Sequence, residues 1–298
     1  MSKQPSVPPD QTQILKEMEQ LSGKSIPYVN EIDWNTFGVK VEGNNIIGLG
    51  LYNCGLTTLP ESVGALRSLE KLWINGNQLT TLPESVGQLK SLIYLNLRSN
   101  KLTTLPESFG QLKSLQTLDL EGNQLTTLPE SFVAFKSLIE IQIYGNQLMT
   151  LPESFGELKS LQLLELQYNK ITTLPESFGQ LKSLQTLDLE GNQLTTLPES
   201  FVTLKSLQTL AIWGNQLTTL PESFGNLKSL IYLNLERNKL MALPESFGQL
   251  QSLQELWISN NQLTTLPEPR LQLKSLQLNR KAVEILDELE KKGVVIYK

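Results

Sequence analysis

Between Ile46 and Ser275 the apolar residues recur on one schedule, L-x-x-L-x-L-x-x-N-x-L-T-T-L-P-E-S-F-G-x-L-K-S, ten times without insertion or deletion. Two periods coexist inside each 23-residue copy. The leucines at places four and six alternate with polar residues, as in "TLDLE", and this period of two predicts a short strand with one buried face. Places 11, 14, 18 and 21 return apolar side chains to the same interior. Each copy therefore supplies a strip of core that only a neighbouring copy can cover, and the copies must stack into a solenoid. Phenylalanine at place 18 forms its spine (Phe109, Phe132, Phe155, Phe178, Phe201, Phe224 and Phe247), with Val63 and Val86 in the first two copies. "LPESFGQLKS" is predicted to close each coil as a short helical or 3-10 turn, with proline at its first position, where the missing N–H does no harm. Its repeated Glu and Lys are expected to form solvated ladders, each pair contributing little.

The flanks read as caps. Residues 10–22, "DQTQILKEMEQLS", start at an N-cap Asp10, place Ile14, Leu15, Met18 and Leu21 on one face and stop at Gly23. "VKVEGNNIIGL" reads as a hairpin turning at Gly43-Asn44-Asn45. At the other end Arg280–Lys292 is predicted helical, with Ala282, Val283, Leu286 and Leu289 inward, Gly293 as stop and "VVIY" as a last strand. The expected organisation is a cap over residues 1–45, ten repeats over 46–275 and a helix-strand cap over 276–298.

Place nine reads Cys54, Asn77, Asn100, Asn123, Asn146, Asn169, Asn192, Asn215, Asn238 and Asn261. With the leucine frame around it, this pattern resembles the leucine-rich-repeat family over roughly three quarters of the chain. The resemblance implies an α/β solenoid of horseshoe form, with a concave parallel β-sheet and short convex returns. It also implies that the place-nine Asn lies inside the turn and bonds the backbone of adjacent coils. A buried amide needs such partners, because leaving it unpaired costs about 1–3 kcal/mol. Cys54 is a variant of that place, with a structural role. The "LPESFG" return is similar to intracellular proteins of the Ras-suppressor and Ras-scaffold kind and to plant intracellular Ras-group-related proteins. What this implies is the role of a platform, without a small-GTPase partner.

Composition narrows the function classes. A single cysteine makes no internal disulfide, and "MSKQPSVPPD" lacks the basic and apolar segments of a signal peptide, so a cytoplasmic protein is expected. No run of about 18 apolar residues is present, and a net charge of −5 disfavours nucleic acid and anionic membrane as partners. The sequence contains no histidine, and "GLGLYNCG" fails the dinucleotide-binding pattern because Asn53 stands where the third glycine is needed. No catalytic residue, cofactor or metal ligand set is expected.

The copies differ mainly at places two, three, five, seven, eight and ten, on or beside the strand. Lys occupies place ten in the third, sixth and ninth copies (Lys101, Lys170, Lys239), which makes three repeats the unit of duplication. Residues 103–133 accordingly recur letter for letter at 172–202. The concave places carry an acidic centre of Asp119, Glu121, Glu140, Glu165, Asp188 and Glu190, with Glu236 beyond it. Glu165 and Asp188 are expected as direct neighbours on strands about 4.8 Å apart, and carboxylates that close need something to neutralise them. Around the centre stand Trp73, Tyr94, Tyr144, Tyr168, Trp213, Tyr232 and Trp257, with Arg98 among them. Aromatics clustered at solvent-directed places resemble the anchors of protein interfaces. The expectation is a non-catalytic, monomeric recognition module or scaffold that binds a protein with a basic surface on this face. Carbohydrate or cation binding is the alternative, and a hydrolase using paired carboxylates such as Glu165 and Asp188 the remotest reading.

Overall fold

The computed structural model describes residues 7–264 and the backbone of two further strands at 275–277 and 295–297. The predicted C-terminal helix at 280–292 lies outside the described residues. The chain divides into two compact units, Met1–Gln147 and Leu148–Lys298.

The first unit opens with helix α1, Pro9–Ser22, which ends at Gly23 in the left-handed region (φ 66°). It starts one residue before the predicted cap, because Pro9 is preset for a first helical turn, and Asp10 lies inside that turn. Ile14, Leu15 and Met18 are buried as expected, whereas Leu21 is 43% exposed. Buried Gln11 hooks the helix to the next element, its Oε1 accepting the Ile46 N–H at 2.9 Å. That element is an antiparallel hairpin of β1, Phe37–Glu42, and β2, Asn45–Leu51. Its turn places Gly43 and Asn44 at positive φ, the requirement of a tight primed turn. Four short strands follow: β3 (Lys71–Trp73), β4 (Tyr94–Asn96), β5 (Thr117–Asp119) and β6 (Glu140–Gln142). Each pairs in parallel with the strand before it, in a register of 23 residues, so equal places stand side by side.

The second unit repeats this with β7 (Leu163–Glu165), β8 (Thr186–Asp188), β9 (Thr209–Ala211), β10 (Tyr232–Asn234), β11 (Glu255–Trp257), β12 (Ser275–Gln277) and β13 (Val295–Tyr297), parallel and in chain order. The predicted final strand "VVIY" thus exists as β13. Short 3-10 turns close the coils in both units, for example Glu107–Gln111 and Glu176–Gln180. The proline stands one place earlier than predicted, as the extended residue before most of these turns (Pro106 φ −69°, ψ 152°), whereas the shorter turns Phe155–Glu157 and Phe224–Asn226 follow Ser154 and Ser223. The return lysines do more than face solvent: Lys182 Nζ donates to the Gly179 carbonyl at 2.6 Å and to Thr203 O at 3.2 Å in the next coil. These bonds satisfy carbonyls that a short helix end leaves open.

The place-18 phenylalanines are fully buried. In the second unit Phe155, Phe178 and Phe201 stack at 6.2 and 6.1 Å, nearly parallel. In the first unit Phe135 joins the spine edge-on, 6.0 Å from Phe109 and 5.0 Å from Phe132. The place-nine amides behave as the resemblance implies. Asn100 Nδ2 donates to Ile74 O in the preceding coil and to Leu97 O in its own, and its Oδ1 accepts the Leu79 N–H, all at 3.0 Å. Every such amide reaches back one coil. Behind Cys54 lies the antiparallel β1 instead of a coil, so an amide there lacks its usual partner, and a small buried thiol fills the place. Burial pushes that thiol's pKa up, away from reactivity.

Candidate functional site

Place eight is where each coil bends away from its strand, and there the backbone is left-handed in every described copy. Glycine suits this conformation, and Gly76, Gly122, Gly145, Gly191 and Gly214 supply it. The third member of each triplet does not: Ser99, Tyr168 and Arg237 hold φ of 53°, 53° and 49°. A tyrosine or arginine held in this region is uncommon and costs energy that the local structure must offset. Both side chains project from the strand face that also carries places three, five and seven.

In the first unit the strands set Trp73, Asn96, Asp119 and Gln142 side by side at place five. Asp119 and Glu121, expected as solvent-directed acids, are buried, at 4% and 6% exposure. Asp119 Oδ1 accepts the Glu121 N–H at 2.9 Å, and its Oδ2 accepts from Asn96 Nδ2 at 3.0 Å. Glu121 is paired with Arg98, whose guanidinium also lies 6.0 Å from the Tyr144 ring centroid. The counter-charge for this part of the acidic centre is thus the protein's own Arg98. Burial still pushes the Asp119 carboxyl up to about 6, with the Glu121 charge adding to it and Arg98 opposing. Tyr94 rises to about 12, chiefly through burial. Glu140, half-buried, accepts from Gln142 Nε2 at 2.9 Å.

Beside these residues lies a cleft of about 650 Å³. Two aromatic pairs line it: Trp73 stacks on Tyr94 at 4.6 Å, and Trp34 meets Tyr52 edge to face at 6.0 Å. Asn75, Asn96, Arg98, Ser99 and Asp119 supply most of its polar lining. Trp34, 61% exposed, escaped the sequence reading because it lies outside the repeat frame. Its one signal was an unexplained tryptophan just ahead of the hairpin.

In the second unit Glu165 and Asp188 are direct register partners, as expected. Asp188 Oδ1 accepts the Glu190 N–H at 2.9 Å, and burial pushes its carboxyl up to about 6. Tyr168, 54% exposed, donates its hydroxyl to Glu190. A side chain on Gly191 would strike the Tyr168 ring, with Cδ1 2.7 Å from a built Cβ. Arg237 lies over Trp213, 5.5 Å from the ring centroid. Tyr232 and Trp257 stand 6.4 Å apart, and Glu236 bonds Ser259. The structure therefore holds the predicted aromatics half-buried or exposed on one strand face in each unit. Among the described residues no group of three or more His, Cys, Asp or Glu is placed to hold a metal ion.

Comparison with known proteins matches this geometry. A family model described as a leucine-rich repeat region matches residues 91–168 and 161–233, and a second leucine-rich-repeat model matches 68–89, 229–250 and 252–273. No curated protein sequence matches. Among solved structures, an LRR protein of Leptospira interrogans is 33% identical with a TM-score of 0.66, covering 98% of this chain and 81% of its own. The ectodomain of the Arabidopsis thaliana receptor kinase GASSHO1/SCHENGEN3, in complex with CASPARIAN STRIP INTEGRITY FACTOR 2, is 28% identical with a TM-score of 0.74 over 89% of this chain. The chain spans only 35% of that ectodomain. FLRT2, in an octameric complex with Latrophilin 3 and Unc5D, is 25% identical with a TM-score of 0.69, covering 91% of this chain and 89% of its own.

Proposed function

The chain belongs to the leucine-rich-repeat family, and from that premise we propose that it is a non-catalytic recognition module that binds a protein partner with a basic surface. The observation that carries this reading is the conformation of Tyr168 and Arg237. Five other coils manage the same bend with glycine, yet these two present large side chains from a left-handed backbone, one on Glu190 and one over Trp213. Strain kept where glycine would serve is characteristic of residues retained for contact. Around them Trp213, Tyr232 and Trp257 offer rigid amphipathic anchors, and Asp188, Glu190 and Glu236 a negative rim. Protein-bound neighbours such as the receptor ectodomain and FLRT2 support the same assignment.

The test is affinity capture with wild type, Tyr168→Gly and Glu190→Lys, each checked for fold by circular dichroism. Tyr168→Gly restores the residue other coils use, so stability stays within about 1 kcal/mol of wild type. A basic protein held by wild type, released by raised ionic strength and lost from both variants supports the proposal. Equal capture by all three, or binding indifferent to salt, removes the acidic and aromatic surface from the function.

A further inference from the structure

Two residues that line the cleft of the first unit each carry a buried polar group with no partner among the described residues. Asn75 is 5% exposed. Its Nδ2 donates to the Trp34 carbonyl at 2.9 Å, which fixes the amide and leaves Oδ1 without a hydrogen-bond partner among the described residues. Trp73 Nε1–H likewise has no acceptor among them. The two residues are two apart along one coil, at places five and seven, and both line the cleft. Leaving such groups desolvated and unpaired is unfavourable, so a molecule that answers both is bound with advantage.

The chemistry of that molecule follows by elimination. It must donate to Asn75 Oδ1 and accept from Trp73 Nε1–H. An ammonium or guanidinium group only donates, and a carboxylate or phosphate only accepts. An amide does both only through two separate atoms, a hydroxyl from one, and the character of the rest of the lining decides between them. The apolar part of the lining is aromatic: among the described residues no aliphatic side chain contributes to it. Ring faces of Trp and Tyr suit a flat face of C–H groups, and the cleft's volume lies within the range of about 300–1,000 Å³ usual for small-ligand sites. A pyranose combines such a face with hydroxyls at its rim. Ser99 adds a further hydroxyl to the lining, while Asn96 and Asp119, bonded to each other and to the backbone, form its floor.

We propose that this cleft binds a neutral saccharide, its ring against the Trp73, Tyr94, Trp34 and Tyr52 aromatics and its hydroxyls on Asn75 and Trp73. All of the cleft's lining residues belong to the first unit, and the proposal does not rest on the protein-recognition reading.

Saturation-transfer NMR on the whole chain tests this, with maltotriose, cellotriose, mannotriose and tri-N-acetylchitotriose as probes and the tripeptide Ala-Tyr-Ala beside them. The expected result is transfer to the ring C–H protons of at least one saccharide. Trp73→Phe keeps a smaller aromatic face and removes the N–H, and should weaken binding at least about tenfold, the value of one neutral hydrogen bond. Asn75→Leu should weaken it as much, whereas Glu190→Lys should leave it unchanged. No transfer from any of the four saccharides overturns the proposal, as does binding that Trp73→Phe leaves intact. Transfer from the tripeptide alone overturns it too, and gives the cleft to protein recognition. A chain that binds saccharide but captures no basic protein would instead overturn only the protein-recognition reading.

Discussion

Residues 103–133 and 172–202 are the same 31 letters in two units, and they do not make the same site. Their backbones agree: each gives a Thr-Leu-Asp strand, a buried place-nine Asn and a Glu-to-Gln 3-10 turn around a buried Phe. Their chemistry parts at the coil before them. Asp119 lies beside Asn96, and Glu121 is neutralised by Arg98. Asp188 lies beside Gln167, and the Glu190 carboxylate accepts from the hydroxyl of Tyr168. In a solenoid the repeat frame determines shape, while charge and contact are decided 23 residues away.

Three experiments break or sharpen that comparison. The largest effect belongs to what the copies share. Phe109→Ala and Phe178→Ala each empty a fully buried ring site and should cost about 3–5 kcal/mol in urea unfolding. A difference beyond that range between them would show that the edge-on Phe135 near Phe109 alters the core as well as the surface.

The intermediate effect concerns pH. Asp119 and Asp188 both have folded pKa values raised to about 6 from 3.8, so the folded chain holds their protons more tightly than the unfolded one. The stability this contributes is complete below about pH 4 and is lost as pH rises through about 6, on the order of 2 kcal/mol for the buried Asp119 and less for Asp188. Arg98→Gln copies the Gln167 environment into the first unit. Carboxyl NMR titration should then show Asp119 rising further while Asp188 stays in place; movement of both would contradict local control by the preceding coil. The smallest effect is Tyr168→Phe, which removes one exposed hydroxyl bond and should change the unfolding free energy by less than about 0.5 kcal/mol. A loss several times larger would mean that the Tyr168–Glu190 contact is structural.

Much of this was legible in the letters. Ten phased copies gave the strands, the phenylalanine spine and the amide ladder, because each is a consequence of position within one coil. The side-by-side placement of Glu165 and Asp188 followed from the same 23-residue register. The burial of Asp119 and Glu121 was not legible, since an acid two places from another reads as a surface pair until the Arg98 of the previous coil is laid across it. Nor was the use of Asp119, Asp188, Asn96 and Asn234 to accept the N–H two residues on, a local bond that the alternation of strand residues conceals. Trp34 and the answering amide of Asn75 came together only because the hairpin folds back on the first coils.

The backward reach of the place-nine amides also bears on how the molecule comes into being. Asn192 bonds the Ile171 N–H and the Leu166 carbonyl of the coil before it, and Asn215 does the same for the coil of Asn192. A turn of the chain leaving the ribosome thus has its inner backbone groups open until 23 further residues have emerged. Synthesis therefore runs one coil ahead of closure along the repeats.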